Sequence, residues 1–234
     1  MTRTALIAAL HEELAALLPA IEGATTERRG GREFWLGQLH GHEVVAVLSG
    51  IGKVAAATTA TLLVDHYGAE RVLFLGVAGG LGDGVSVGDV VVADALLQHD
   101  MDASPLFPRH EVPLTGMSRF PADAAFSEAV AAGARAALGD GGAKVHRGLI
   151  VSGDRFVATA AESASLRTAL PDALAVEMEG AAVAQVCHAF GVPLAVVRSI
   201  SDRADDTAHV DFGRFLREVA SPLGRAVVLN TLRA

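Results

Sequence analysis

Apolar positions along the chain follow two rhythms. Near-continuous apolar runs at Thr4–Leu10, Arg71–Val77, Val90–Leu97, Ala173–Val176 and Val192–Ile200 have the composition of buried strands, and Lys144–Val151 reads as a further strand. Arg32–Leu39 and His42–Leu48 predict a hairpin that turns at Gly41. Between the strands, helical spacing takes over. After His11-Glu12-Glu13, the residues Leu14, Leu17, Leu18 and Ile21 fall at i, i+3, i+4 and i+7. Further helices are expected from Lys53 to about His66, over Pro121–Leu138, over Glu162–Leu170 and from Gly180 to Phe190, with Gly191 as a stop. Asp211–Leu232 closes the chain as an amphipathic helix with Pro222 as a point of interruption. Gln98–Gly116, with its prolines, histidines and aspartates, has neither rhythm, and a loop of that length suggests a lid or a subunit contact.

Such alternation predicts one large α/β domain, which 234 residues can fill. Apolar residues at 51% supply a sizeable core, and a net charge of −8 argues against nucleic acid or an anionic membrane surface as partner. No apolar stretch reaches membrane-spanning length uninterrupted, and the single cysteine, Cys187, excludes an internal disulfide framework. A cytoplasmic location is the expectation.

Three positions carry acids that a plain core would not choose. The helical period turns Glu13 toward the inward stripe and Glu12 away from it. Glu177 and Glu179 flank Met178 where an apolar run meets a helix; they either complement the helix dipole or grip the neighbouring hydroxyls of a sugar. Asp202 ends an apolar strand that also contains Arg198, and it is either a cap or a site residue. Ser49-Gly50-Ile51-Gly52-Lys53 is not a Walker A loop, because Ala46 and Val54 stand where Gly and Ser/Thr are needed. The loop Gly76–Gly82 lacks the dinucleotide spacing. No serine sits in a nucleophile elbow, and no Cys/His set has zinc spacing. The groups left for chemistry are carboxylates, which suit hydrolysis of a sugar bond by paired acid and base.

Five segments in order resemble the purine nucleoside phosphorylase / uridine phosphorylase superfamily: Ser49–Lys53, Val77-Ala78-Gly79-Gly80, Ser152-Gly153-Asp154-Arg155-Phe156, Val176–Glu179 and Arg198–Asp202. Within it, the pattern is most similar to the nucleosidases of methylthioadenosine and adenosylhomocysteine. The resemblance implies a three-layer α/β/α sandwich with a central mixed, twisted sheet. It also implies cofactor-free hydrolysis of an N-glycosidic bond in a homodimer whose 98–116 loop reaches the neighbouring site. By the same resemblance, Glu13 activates water and Asp202 protonates the purine, with Ser201 positioning Asp202. Glu179 takes the ribose hydroxyls and Met178 the sugar face. Phe156 stacks on the base and Val157 reads its edge. Arg198 and Glu177 lie near sugar and water. Leu10, Ile51 and Phe212 form apolar walls, and Ala78 and Gly79 belong to the binding loop. Three departures stand out: His11 where an acid is common, Val77 where a hydroxyl residue is common, and a Gln98–Gly116 loop that differs from the commoner version. A phosphorylase or a futalosine-type nucleosidase are the neighbouring alternatives.

Overall fold

The computed structural model describes residues 2–205 and 212–233. One ten-stranded mixed sheet runs through it, with helices on both faces. The strands are β1 (Thr4–Ala8), β2 (Glu22–Arg29), β3 (Arg32–Leu39), β4 (His42–Leu48), β5 (Arg71–Gly80), β6 (Val90–Gln98), β7 (Arg119–Pro121), β8 (Val145–Ser152), β9 (Ala173–Glu177) and β10 (Leu194–Asp202). The main order is β10-β6-β8-β9-β5-β1-β4-β3-β2, and β10 also pairs with β5. That extra pairing closes β5, β10, β6, β8 and β9 into a ring, so the sheet curls at one end instead of staying flat.

The helices are α1 (His11–Leu14), α2 (Lys53–Thr61), α3 (Ala124–Leu138), α4 (Ala160–Ala169), α5 (Gly180–Phe190), α6 (Phe212–Phe215) and α7 (Ser221–Arg233). One core, with Phe34, Phe74, Ile150 and Val196, is covered by α2 and α5. A second, with Leu14, Leu17, Val92 and Val228, lies under α1, α3 and α7. Together they give the three layers that the resemblance implied.

Where expected bounds moved, the reason is local. The first helix stops at Leu14 and resumes as a tighter turn, Leu18–Ala20, because Pro19 crowds the carbonyl four residues back. Leu14 and Leu17 are nevertheless fully buried. Pro222 does not break the last helix: a widened turn over Leu216–Ala220 precedes it, and the helix continues to Arg233. Asp211, expected at its start, lies outside the described residues. β5 runs on through the expected loop to Gly80, since Gly79 and Gly80 pair with Val176 and Ala175 of β9. β2 has no counterpart in the hydrophobic pattern; it is a polar, exposed edge strand paired to β3.

Candidate active site

Glu13 stands in the first turn after β1, buried to 4% exposure. Its Oε2 accepts the backbone N–H groups of Ala9 at 2.9 Å and Leu10 at 2.8 Å, and its Oε1 accepts that of Val77 at 3.1 Å. The carboxylate thus lies across β5, where Gly76 makes room. A Cβ on residue 76 would sit 2.8 Å from Glu13 Oε1 and 3.2 Å from Arg198 Nη1. Burial pushes the Glu13 carboxyl above its ordinary pKa, outweighing the three amides and the Arg198 charge that oppose it.

Glu177 and Glu179 share a strand-to-helix junction but not a fate. Glu177 forms a buried ion pair with Arg198, at 2.6 Å to Nη2 and 3.2 Å to Nε. It also accepts the N–H groups of Glu179 and Gly180, together with the hydroxyl of Ser152, which itself accepts from the Ala181 N–H at 2.7 Å. Arg198 stacks 4.2 Å over the Phe74 ring and donates to the carbonyls of Phe74 and Val197. An ion pair this deep is costly to break; losing one partner leaves a bare buried charge, at about 3–5 kcal/mol.

Among the described residues, Glu179 has no ion pair of this kind. Its side chain takes one amide, the Gly52 N–H at 2.8 Å to Oε1. Burial, and then the negative charge of Glu177, raise its pKa from 4.5 to about 7. A raised folded-state value has a definite sign for stability. The contribution is full below the unfolded value near 4.5 and is lost as pH rises through about 7. Glutamine at 179 can still accept from Gly52 and never ionises. The ligand-free Glu179→Gln variant should therefore melt above the parent protein at pH 8, by up to about 3 kcal/mol of stability, with the gap closing by pH 4.5. Thermal denaturation at the two pH values checks this, and equal melting at pH 8 would mean that Glu179 carries no strain.

Asp202 ends β10 beyond a bulge at Ile200/Asp202, opposite Gly79 of β5. Its Oδ1 accepts the Ala204 N–H and its Oδ2 the Ser201 hydroxyl, both at 2.7 Å. A Cβ on residue 79 would lie 2.9 Å from Oδ1, so this approach too depends on a glycine. Burial raises the Asp202 carboxyl above its usual range despite both hydrogen bonds.

Glu13, Glu177, Glu179 and Asp202 all open on one cavity of about 360 Å³. Leu10, Ile51, Met178 and Phe212 form apolar walls; Val77, Ala78 and Gly79 of β5 line it as well. Phe156 and Val157 enter from the loop after β8, and Ser201 flanks Asp202. The Phe156 and Phe212 rings meet edge-on, with centroids 6.3 Å apart. Arg198 alone of the expected site residues does not reach the wall: Glu177 and two carbonyls hold its guanidinium behind it. Ala9, Val176 and Arg155 line the cavity without having been anticipated. Ala9 is an apolar residue inside a strand-like run, so nothing in the pattern marks it, whereas Val176 and Arg155 each lie within a quoted motif.

The family model of the phosphorylase superfamily matches residues 3–232. The chain belongs to the phosphorylase superfamily. Among solved members of similar structure is a 5′-methylthioadenosine/S-adenosylhomocysteine nucleosidase from Neisseria meningitidis in complex with methylthio-immucillin-A. It is 36% identical with a TM-score of 0.93, over 100% of this chain and 99% of that one. The nucleosidase of S. pneumoniae with a transition-state inhibitor is 34% identical, with a TM-score of 0.90 over 100% and 99% of the two chains. That of Colwellia psychrerythraea in complex with adenine is 34% identical, with a TM-score of 0.93 over 99% and 95%.

For a superfamily member, the electrostatics of this cavity are informative. Among the described residues that line it, the cation is Arg155, which is largely exposed and ion-paired with Glu162. A phosphate dianion calls for several charge-assisted donors, and Arg198 is already committed to Glu177. Buried carboxylates of raised pKa suit a reacting centre that becomes positively charged, and a carboxyl that keeps its proton suits a basic leaving group.

Proposed function

We propose that this chain is an N-glycosidase that hydrolyses 5′-methylthioadenosine and S-adenosylhomocysteine to adenine and the corresponding thioribose. The observation that carries the reading is the opening of Glu13, Glu179 and Asp202 onto one cavity with apolar walls. The likeness to three solved nucleosidases supports it.

In this reading the ribose hydroxyls donate to Glu179, which orients the sugar with Met178 against its face. The adenine lies by Phe156 and Val157, with N7 toward Asp202. As the C1′–N9 bond stretches, its electrons pass to the base and positive charge grows on the ribosyl ring. The carboxylates around the ring stabilise that charge in a site with little water. Asp202 gives its proton to N7, so adenine departs neutral. Glu13 takes a proton from water as the water oxygen bonds C1′. Among the described residues, Oε2 of Glu13 accepts two amides and Oε1 one, so Oε1 is the oxygen with a lone pair left for the water. Val77 gives the water no hydroxyl, which leaves Glu13 as its principal anchor.

The same reading places the protein in methionine salvage, in the cytoplasm, as a homodimer. Exposed apolar residues support the dimer: Ile51 at 58% and Val54 at 79%, around the start of α2, and Leu106 at 85% and Leu114 at 91% on the 98–116 loop. A second copy would cover them and bring its loop to the cavity mouth. No helix of the described residues is long and apolar enough to cross a membrane.

Adenine release from methylthioadenosine and adenosylhomocysteine, and hypoxanthine release from a futalosine-type nucleoside, tests the substrate assignment. The two adenine nucleosides should be cleaved in buffer without phosphate. Cleavage of the futalosine-type nucleoside alone would reassign the substrate, and no cleavage of any would end the proposal.

A further inference from the structure

A lysine outside the cavity has no part in the reaction as described, yet it sits in a closed polar circuit near it. α2 is capped at its start by Gly52, whose φ of 95° is open to glycine and strained for other residues. The first amides of a helix have no partners within it. Here carboxylates from two other segments accept them: the Gly52 N–H goes to Glu179 Oε1 at 2.8 Å, and the Lys53 N–H to Asp154 Oδ1 at 2.7 Å. The Lys53 ammonium then crosses to Asp100 Oδ1 at 2.6 Å and Gln98 Oε1 at 3.0 Å. Asp100 Oδ2 closes the loop by accepting the Asp154 N–H at 2.9 Å. Three residues from three segments thus hold one another by three charge-assisted hydrogen bonds, of which the one from the Lys53 ammonium is charged on both sides. Gln98 is braced in turn by its own donation to Gln185 of α5, at 2.8 Å.

We propose that Lys53 is a positioning residue for Glu179: through Asp100 and Asp154 it fixes the Gly52 peptide whose N–H holds the Glu179 carboxylate. The proposal rests on Glu179 being the acceptor of the ribose hydroxyls. Lys53 supplies what the circuit otherwise lacks, a cation between two carboxylates. Its side chain is only 16% exposed, so solvent replaces it poorly. Burial acts to raise the Asp100 carboxyl, but the Lys53 ammonium and the Asp154 amide together outweigh it and hold it below its ordinary value. Without the ammonium, Asp100 and Asp154 repel, the Lys53 peptide loses its anchor, and the adjoining Gly52 N–H turns away from Glu179. A Cβ at residue 52 would stand 3.0 Å from Asp154 Oδ1, so there is little slack to take up such a shift. The circuit also ties Gln98 and Asp100, at the root of the 98–116 loop, to the sugar end of the cavity.

The decisive readout is discrimination between 5′-methylthioadenosine and its 3′-deoxy analogue. That analogue lacks one hydroxyl for Glu179 yet keeps the 2′-hydroxyl, whose loss would change the intrinsic lability of the bond. In Lys53→Met, kcat/KM for the ribosyl substrate should fall by roughly tenfold, the scale of one charge-assisted hydrogen bond. The 3′-deoxy analogue should lose much less, so the ratio of the two narrows. Lys53→Arg should restore most of the ratio. Asp100→Asn reads the same ratio should Lys53→Met fail to fold. An equal fall for both substrates, with the ratio unchanged, would make the circuit purely structural and overturn the inference. A parent protein that cleaves the nucleoside without distinguishing the 3′-deoxy analogue would instead remove Glu179 from hydroxyl binding.

Discussion

Asparagine in place of Asp202 leaves the fold intact and lowers adenine release from methylthioadenosine by roughly 10²-fold or more. The carboxamide keeps the local frame: its oxygen can still accept from Ala204, and the Ser201 hydroxyl can rotate to accept from its NH2. What disappears is the transferable proton. Because the loss falls on the bond-breaking step, kcat should drop while KM changes little. The pH profile carries an independent sign. Burial raises the Asp202 pKa, so the acid form persists above the ordinary carboxylate range and activity falls only as pH rises past that raised value. The variant loses this alkaline limb. Steady-state kinetics across pH, with a melting curve to confirm folding, checks both; turnover at the parent rate would take Asp202 out of the mechanism.

Glu13→Gln should cost more than Asp202→Asn, since it removes a base and also disturbs the fold around it. Turnover should fall by roughly 10²- to 10⁴-fold, the span of general base catalysis. Three N–H groups converge on the two oxygens of Glu13, so a carboxamide must turn its NH2 toward at least one of them. The group left unpaired costs about 1–3 kcal/mol. The variant should therefore melt below the parent protein, unlike Asp202→Asn. The acidic limb has the opposite sense to that of Asp202. Glu13 acts ionised and burial raises its pKa, so kcat/KM of the parent should climb with pH at values above those of an ordinary glutamate. Kinetics and calorimetry of the purified variant test this, and unchanged turnover would assign water activation elsewhere.

Much of this was written into the order of residues. The helical period alone turned Glu13 inward and Glu12 outward, and in the structure Glu13 is buried while Glu12 is partly exposed. The hairpin over Arg32–Leu39 and His42–Leu48 stands at the expected bounds, because two strand-like runs and a turn glycine leave little choice. β2 was illegible because Glu22–Arg29 buries almost nothing; its pairing to β3 is a backbone matter. Gly76–Gly80 read as a loop because small residues carry no pattern, yet those same residues let Glu13 and Asp202 approach β5. Arg198 was marked as odd inside an apolar strand, but its burial behind Glu177 depends on a residue 21 positions away. Lys53 was read as the end of a failed phosphate loop and of one quoted motif, with no role of its own. Its partners lie 45 and 47 positions further on, and no local rhythm connects them.

The most direct test follows one oxygen atom. The protein is given methylthioadenosine in phosphate-free water enriched in heavy oxygen, and the sugar product is weighed by mass spectrometry. Hydrolysis gives adenine and methylthioribose in equal amounts, with the sugar carrying one heavy oxygen and the rate unaffected by added phosphate. Cleavage that begins only when phosphate is supplied, with the sugar released as its 1-phosphate, would contradict it.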